Sequence, residues 1–439
     1  MHDLGLINGK VYIDGAFKKT NVYIKDGCIS AITDSLLEAN DIYDCKGNLV
    51  IPGIIDPHTH FDLDLGLIKS RDDFHSGTKA AAFGGVTTII DFLSPVDNSK
   101  ELRKAFNERK WQAKDAVIDY KFHACLKNPK GHVEELVQSL PKYGLNTVKV
   151  FTTYSDSGRR TYDEEIKELL LFSKEHGFTL TVHVENDELI VINDTDGFDK
   201  LPFNRPTESE LTEAVKLAEL VKETNGYLYM VHLSSGDTLR RLKNDYNDIL
   251  NKHFFVESCP HYFTFDNSIL NTENGHLYTM APPLRSEEEK IELNNLVDFV
   301  YTIGTDHCPF NSIEKNKPFL KDIPLGIGGV EESFRVMFSM FGDKIIPKMT
   351  ENVAKAHKLY PQKGVIQVGS DADMFVYELK DTTIKNYHNS TDYNIYLNTP
   401  VNGEVISTVS RGSFVIKDKV YYKHLGQLLN VQGGQHEGH

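Results

Sequence analysis

From residue 51 to residue 306, short apolar runs of strand character alternate with amphipathic helical stretches, and this alternation constrains the fold more than any other feature. The runs fall at 51–57, 87–92, 119–126, 147–151, 179–185, 227–233, 253–259 and 300–306. Helical spacing recurs between them, as at 208–223, where Leu211, Val215, Leu217, Leu220 and Val221 share one broad face. Eight such units close a barrel, so the expected class is α/β, a (β/α)8 TIM-like barrel. Short strands also fill both ends of the chain. Asn8-Gly9, Asp14-Gly15 and Asp26-Gly27 punctuate the first segment, and 373–377 and 404–409 repeat the β pattern late in the chain. The two ends are expected to form one small β-sandwich. The division that follows is 1–50 and 365–425 for the sandwich, 51–364 for the barrel and 426–439 for a tail. The last residues of that tail, 434–439, have the look of an expression tag.

In a barrel of this kind the chemistry lies at the C-terminal ends of the strands. The unusual polar residues of this chain fall there. His58 and His60 follow the first run, Lys149 sits in the fourth, His183 and His232 end the fifth and sixth, and Asp306 ends the eighth. Residues two apart on an extended chain point the same way, so His58 and His60 can reach one ion. Alone, a His-x-His pair is a weak motif, and His183 or His232 taken singly reads better as a satisfied core histidine. Asp306, before Pro309, could equally cap a helix. Lys149 lies within Thr147-Val148-Lys149-Val150-Phe151, too apolar to hold a bare ammonium. It must pair with a buried acid, reach solvent, or react with carbon dioxide to give a carbamate able to bridge two metals. The coincidence of all six at one face favours the last, because packing alone does not gather such residues.

Composition excludes other classes. The formal net charge of -15 comes from acids scattered among bases, with no Lys/Arg-rich block to follow a nucleic-acid backbone. No apolar stretch approaches membrane-spanning length, and Met1-His2-Asp3-Leu4 begins no signal-like segment, so a cytoplasmic protein is expected. The 5 cysteines are widely spaced and expected to be reduced.

Longer motifs sharpen this reading. Pro52-Gly53-Ile54-Ile55-Asp56-Pro57-His58-Thr59-His60, the stretch from Asp72-Asp73-Phe74-His75-Ser76-Gly77 to Gly84-Gly85, Met280-Ala281-Pro282-Pro283-Leu284-Arg285 and Gly304-Thr305-Asp306-His307-Cys308-Pro309-Phe310 resemble segments of the cyclic amidohydrolases. The likeness is to the hydantoinase and dihydropyrimidinase branch and covers essentially the whole chain. It implies two divalent metal ions, usually zinc, with His58, His60 and Asp306 on one, His183 and His232 on the other, and N6-carboxylated Lys149 between them. It further implies Tyr154 as the oxyanion donor, although a tyrosine there could merely form the pocket wall. The implied reaction opens a hydantoin or dihydropyrimidine ring to an N-carbamoyl amino acid. A hydroxide shared by the metals attacks, while Asp306 takes the proton and returns it to the leaving nitrogen. Relatives are often homotetramers, and the partner implied is a small cyclic amide.

Departures from the branch concern the substrate. Ala281 stands where serine is common, and its Ala-Pro-Pro setting is familiar from allantoinases as well. Leu325 replaces an asparagine near the substrate, tolerable if that contact is made by backbone atoms, and Ser333 replaces an arginine. Dihydroorotases usually carry an arginine where this chain has Asp62, and allantoinases an Asn-Glu-Pro-Gly turn that 61–66 does not resemble. The loop is apolar at Leu63, Leu65, Leu67 and Ile68, and is expected either to lid an uncharged ring or apolar substituent or to pack the barrel rim. Rival readings are an allantoinase or dihydroorotase on the same scaffold, a non-catalytic dihydropyrimidinase-related protein, and a mononuclear deaminase-like relative that would not need Lys149.

Overall fold

A computed structural model describes residues 1–429, so the tag-like residues 434–439 lie outside the described residues. All eight expected runs form strands: Ile54–Thr59, Val86–Phe92, Asp119–Cys125, Thr147–Phe151, Thr179–His183, Leu228–Leu233, Phe254–Ser258 and Thr302–Ile303. They lie side by side in chain order as one parallel sheet of 8 strands. Helices cover the outer face, so these strands are buried on both sides, their polar residues included, such as Asp119, Lys121 and His123 in the third.

The eighth strand is shorter than expected, at Thr302–Ile303. Its sequel turns away because Asp306 takes a left-handed backbone, φ 51°. Closure between the first and eighth strands therefore relies on few ladder bonds. His60 N–H donates to His307 O at 2.9 Å, and the Asp56 carboxylate accepts from Thr305 N–H at 3.1 Å and from the Thr305 hydroxyl at 2.5 Å.

The helix expected at 208–223 spans Thr207–Thr224, but its buried face is turned from the one anticipated. Glu210, Ala214, Leu217 and Val221 face inward, while Leu211, Val215 and Leu220 lie at the flanks. The reason is polar. Glu210 accepts from Ser234 N–H at 2.9 Å and Ser235 N–H at 3.1 Å, tying the helix to the turn that follows the sixth barrel strand.

The chain ends make a separate sheet of 9 strands, in which Leu49–Pro52 pairs antiparallel with Met374–Thr383 and joins the N-terminal strands to the C-terminal ones. Asp14-Gly15 and Asp26-Gly27 turn as expected, with positive φ at every position. Asn8-Gly9 does not: His2–Ile13 runs on as one strand and absorbs Asn8 in a bulge. The sheet curls over its own core. Tyr43 packs on Phe414 with centroids 5.1 Å apart and meets the Ser407 hydroxyl at 2.9 Å, contacts between strands that are not sheet neighbours.

At the lower end of the barrel, where the strands begin, Gly426 N–H donates to Ala116 O at 2.8 Å and Leu429 N–H to Tyr120 O at 2.8 Å. Nearby, Lys363 Nζ lies among Asp119 at 2.8 Å, Asp371 at 3.0 Å and Asp373 at 2.6 Å. That lysine neutralises a carboxylate cluster whose spacing would otherwise suit a cation.

Candidate metal centre

The six polar residues singled out in the sequence lie together at the upper end of the barrel. His58 Nε2 and His60 Nε2 are 3.2 and 3.0 Å from Asp306 Oδ1. Lys149, His183 and His232 line the same cavity, of about 290 Å³. The His183 and His232 rings are 4.5 Å apart between centroids, and those of His58 and His232 are 5.4 Å apart. Three site residues hold left-handed backbone despite bearing side chains: Tyr154 at φ 70°, His232 at φ 42° and Asp306 at φ 51°. Such conformations cost free energy and persist only where the surroundings enforce them. Here they turn side chains at strand ends toward a common point.

Lys149 is 2% exposed and, among the described residues, has no carboxylate within ion-pair distance. Its Nζ lies 5.4 Å from the centroid of Phe92 and 5.3 Å from that of Phe151. Burial pulls its pKa down to about 8, with Asp306 opposing. A buried amine so close to neutrality is one that carbon dioxide can carboxylate. Asp306 is pushed up by burial, but His58 and His60 outweigh that effect and hold it well below the usual carboxylate range. Burial keeps His58 and His232 well below the ordinary histidine value and brings His183 to about 4. Neutral imidazoles, an ionised carboxylate and an uncompensated amine form a donor set suited to divalent cations.

A ring of partners orients these groups. Glu257 Oε1 meets His58 Nδ1 at 2.8 Å, leaving Nε2 to face the centre, while Glu185 Oε2 meets His183 Nε2 at 2.6 Å, leaving Nδ1. Glu257 also accepts from the Tyr229 hydroxyl at 2.7 Å and from His232 N–H at 3.1 Å. Arg205 binds Glu185, with Nε 3.1 Å from Oε1, and its Nη2 donates to the Tyr154 hydroxyl oxygen at 3.2 Å. Asp91 pairs with Arg109 at 2.5 Å and accepts from Phe61 N–H at 2.9 Å, fixing the chain just past His60.

Sequence reasoning passed over these partners, although two of them carried a signal. Glu257 is a charged residue within an apolar strand, the same anomaly that identified Lys149. Glu185 follows His183 by two positions and so shares its direction on extended chain. Arg205 and Arg109 carried none, because each reaches the site from a helix-side segment distant in the chain.

The candidate substrate contacts Tyr154, Ala281, Leu325, Leu63 and Leu65 all border the cavity. Ser333 does not; it opens the helix Ser333–Phe341 and is buried there. The loop after His60 is a small hairpin closed between Asp64 and Lys69, with Gly66 at φ 93° making the turn and Ser70 Oγ donating to His60 O at 2.8 Å. Its wall is less apolar than the leucines suggest. Asp62 and Asp64 border the cavity beside Leu63 and Leu65, whereas Leu67, 101% exposed, stands in solvent at the tip.

Known proteins resemble this chain along nearly its whole length. The model of the amidohydrolase family matches residues 49–415. A D-hydantoinase of Geobacillus stearothermophilus is 32% identical over 94% of this chain and 93% of its own length. A D-phenylhydantoinase of Escherichia coli O9:H4 (strain HS) is 29% identical, covering 96% of each. Among solved structures, a dihydropyrimidinase from Brevibacillus agri NCHU1002 superposes with a TM-score of 0.91 at 30% identity, over 99% of this chain and 100% of that one. A D-hydantoinase from a Bacillus sp. AR9 gives 0.93 at 29%, with the same coverage.

Proposed function

Since the chain belongs to the amidohydrolase family, in its hydantoinase and dihydropyrimidinase branch, we propose that it opens a hydantoin or dihydropyrimidine ring to an N-carbamoyl amino acid. The enzyme is a metal-dependent hydrolase of cyclic amides. His58, His60 and Asp306 would hold one divalent ion and His183 and His232 a second, with Lys149 shared between them as its carbamate and zinc the favoured metal. Two such ions, when bound, acidify water to near neutrality and polarise a carbonyl.

The chain's own residues supply the remainder. Asp306, kept ionised by its histidines, accepts the proton of the attacking water and delivers it to the ring nitrogen as the C–N bond breaks. Tyr154 donates its hydroxyl hydrogen to the oxyanion that develops on the carbonyl. Arg205 donates to the same hydroxyl oxygen, so the Tyr154 hydrogen is free to point into the cavity. Glu257 and Glu185 hold two imidazoles so that one nitrogen of each faces inward.

The observation that carries this reading is Lys149, an ammonium without a counter-ion among the described residues, beside four histidines and Asp306. The reading expects stoichiometric metal after expression in zinc- or manganese-supplemented medium, and opening of hydantoin or dihydrouracil in a panel that also holds allantoin and dihydroorotate. Lys149→Ala is expected to lose both metal and hydrolysis. Retention of both by that variant would remove the carbamate, and activity confined to allantoin or dihydroorotate would reassign the branch. The family likeness also supports a cytoplasmic homotetramer, which sedimentation equilibrium would read directly.

A further inference from the structure

The loop that follows the fourth barrel strand carries two adjacent arginines with opposite fates. Arg160 turns outward, stacks over Tyr162 at 5.1 Å and reaches Asp187 at 3.4 Å. Arg159 borders the catalytic cavity. The loop is built to put it there. Thr161 N–H donates to Phe151 O at 2.8 Å, and Arg159 N–H donates to Tyr154 O at 3.1 Å, folding residue 159 back beside Tyr154. Asp187 pins the other side through the Thr153 hydroxyl at 2.9 Å and Ser155 N–H at 3.3 Å. Burial pushes the Cys125 thiol on the same cavity wall up to about 12, with Lys149 and Arg159 opposing.

Every other long cation on the cavity wall has an assignment. Arg109 is neutralised by Asp91, and Lys149 belongs to the metal centre. The Arg159 side chain has neither carboxylate nor hydrogen-bond acceptor among the described residues. On the same cavity wall, Asp62 and Asp64 share Lys69 at 3.8 and 3.6 Å, and neither pairs with Arg159. Leu63, Leu65 and Phe151 add apolar surface to the same cavity wall as Arg159.

We propose that Arg159 selects substrates whose ring carries a short aliphatic chain ending in a carboxylate, so that the product is an N-carbamoyl acidic amino acid. The inference rests on the ring-opening function proposed above and narrows its substrate class. A planar guanidinium binds a carboxylate with paired hydrogen bonds, and the leucines and Phe151 accept the aliphatic stem. The hairpin leucines alone suggest an apolar substituent; the opposite loop adds the charge that completes the recognition.

The test compares 5-(2-carboxyethyl)hydantoin with its neutral isostere, 5-(2-carbamoylethyl)hydantoin, using metal-loaded enzyme at low ionic strength. The acid is expected to be preferred at least tenfold in kcat/KM, mainly through KM. Arg159→Gln should bring that ratio to within about twofold of unity, and Arg159→Lys should restore part of it. In the unaltered enzyme, 0.5 M sodium chloride should shrink the preference, because a partly exposed pair is screened by salt. A second arm measures by calorimetry the binding of the two matching N-carbamoyl products to metal-loaded enzyme and to Arg159→Gln. Should neither ring open while the acidic product still binds more tightly in an Arg159-dependent manner, the ring-opening reading fails and only the recognition of a carboxylate by Arg159 stands. Selectivity that is unchanged in Arg159→Gln, a preference for the neutral isostere, or a preference for a carboxylate borne on the ring itself would overturn it.

Discussion

At the scale of single residues, the centre is governed by how each buried group is partnered. Lys149 lacks a counter-ion among the described residues, while His58 and His183 each have one nitrogen engaged by a glutamate, which leaves the other to face the centre. Glu257 is the most consequential of these partners, since it fixes the His58 ring and also accepts from His232 N–H, so one carboxylate sets residues assigned to both ions. Burial raises its pKa to about 7, with the Tyr229 hydroxyl opposing. Glu257→Gln is therefore expected to weaken metal retention about 10- to 100-fold, the usual cost of losing such a partner, while the folded structure survives. Metal release to a calibrated chelator checks it. The His-x-His spacing, the lysine in an apolar strand and the strand-end histidines were legible in the sequence because each violates a local rule of burial. Glu257 violates the same rule and could have been found with them. Arg205 and Arg159 could not, since a basic residue in a loop breaks no rule until its surroundings are known.

Among the elements, the barrel strands were the most legible part, being short, rich in apolar residues and bounded by helical periods. What the pattern could not give is how strands end. The eighth strand stops at Ile303, and Gly304, Thr305 and Asp306 leave the sheet to place a carboxylate over the barrel mouth. Gly304 is required by its neighbours: a Cβ there would lie 2.9 Å from Glu257 Cδ and 3.1 Å from His58 Cβ. Gly304→Ala is expected to displace both side chains, to cut kcat/KM at least tenfold and to reduce bound metal, with circular dichroism unchanged. Normal metal content and activity in that variant would show that the eighth strand shifts freely, contrary to the close packing seen. Helix faces were legible only in part. Leu211, Val215 and Leu220 pointed to one face of Thr207–Thr224, but the hydrogen bonds of Glu210 turned the helix from it, because an acid able to cap a turn can enter the interior in place of a leucine.

For the whole molecule, the joint between barrel and terminal sheet is ionic as well as covalent. Lys363, 1% exposed, bridges Asp119 of the barrel to Asp371 and Asp373 of the terminal segment, and Arg411 adds a bond to Asp119 at 2.9 Å. Burial alone would lower the Lys363 pKa, but Asp373, Asp119 and Asp371 outweigh it and hold it far above the ordinary 10.5. A raised folded-state value means that the contribution is fully present below 10.5 and is lost only as pH rises through that higher value. Lys363→Met should then destabilise the protein by about 3–5 kcal/mol, because it strands buried carboxylates. The deficit, measured by urea unfolding, should not shrink between about pH 7 and pH 10. A deficit that vanished by pH 9 would contradict this account of the joint. That both ends of the chain build one sheet was legible from their shared turn-and-strand rhythm; the lysine that locks it to the barrel was not, as nothing in 361–373 brings Asp119 to mind. The last described residues extend the joint. With Gly426 and Leu429 bonded to Ala116 and Tyr120, Leu429 lies at the end of the barrel opposite the cavity mouth. An enzyme tethered to a bead or electrode through that end would present its opening to the bulk liquid, so immobilisation there need not throttle the flow of substrate.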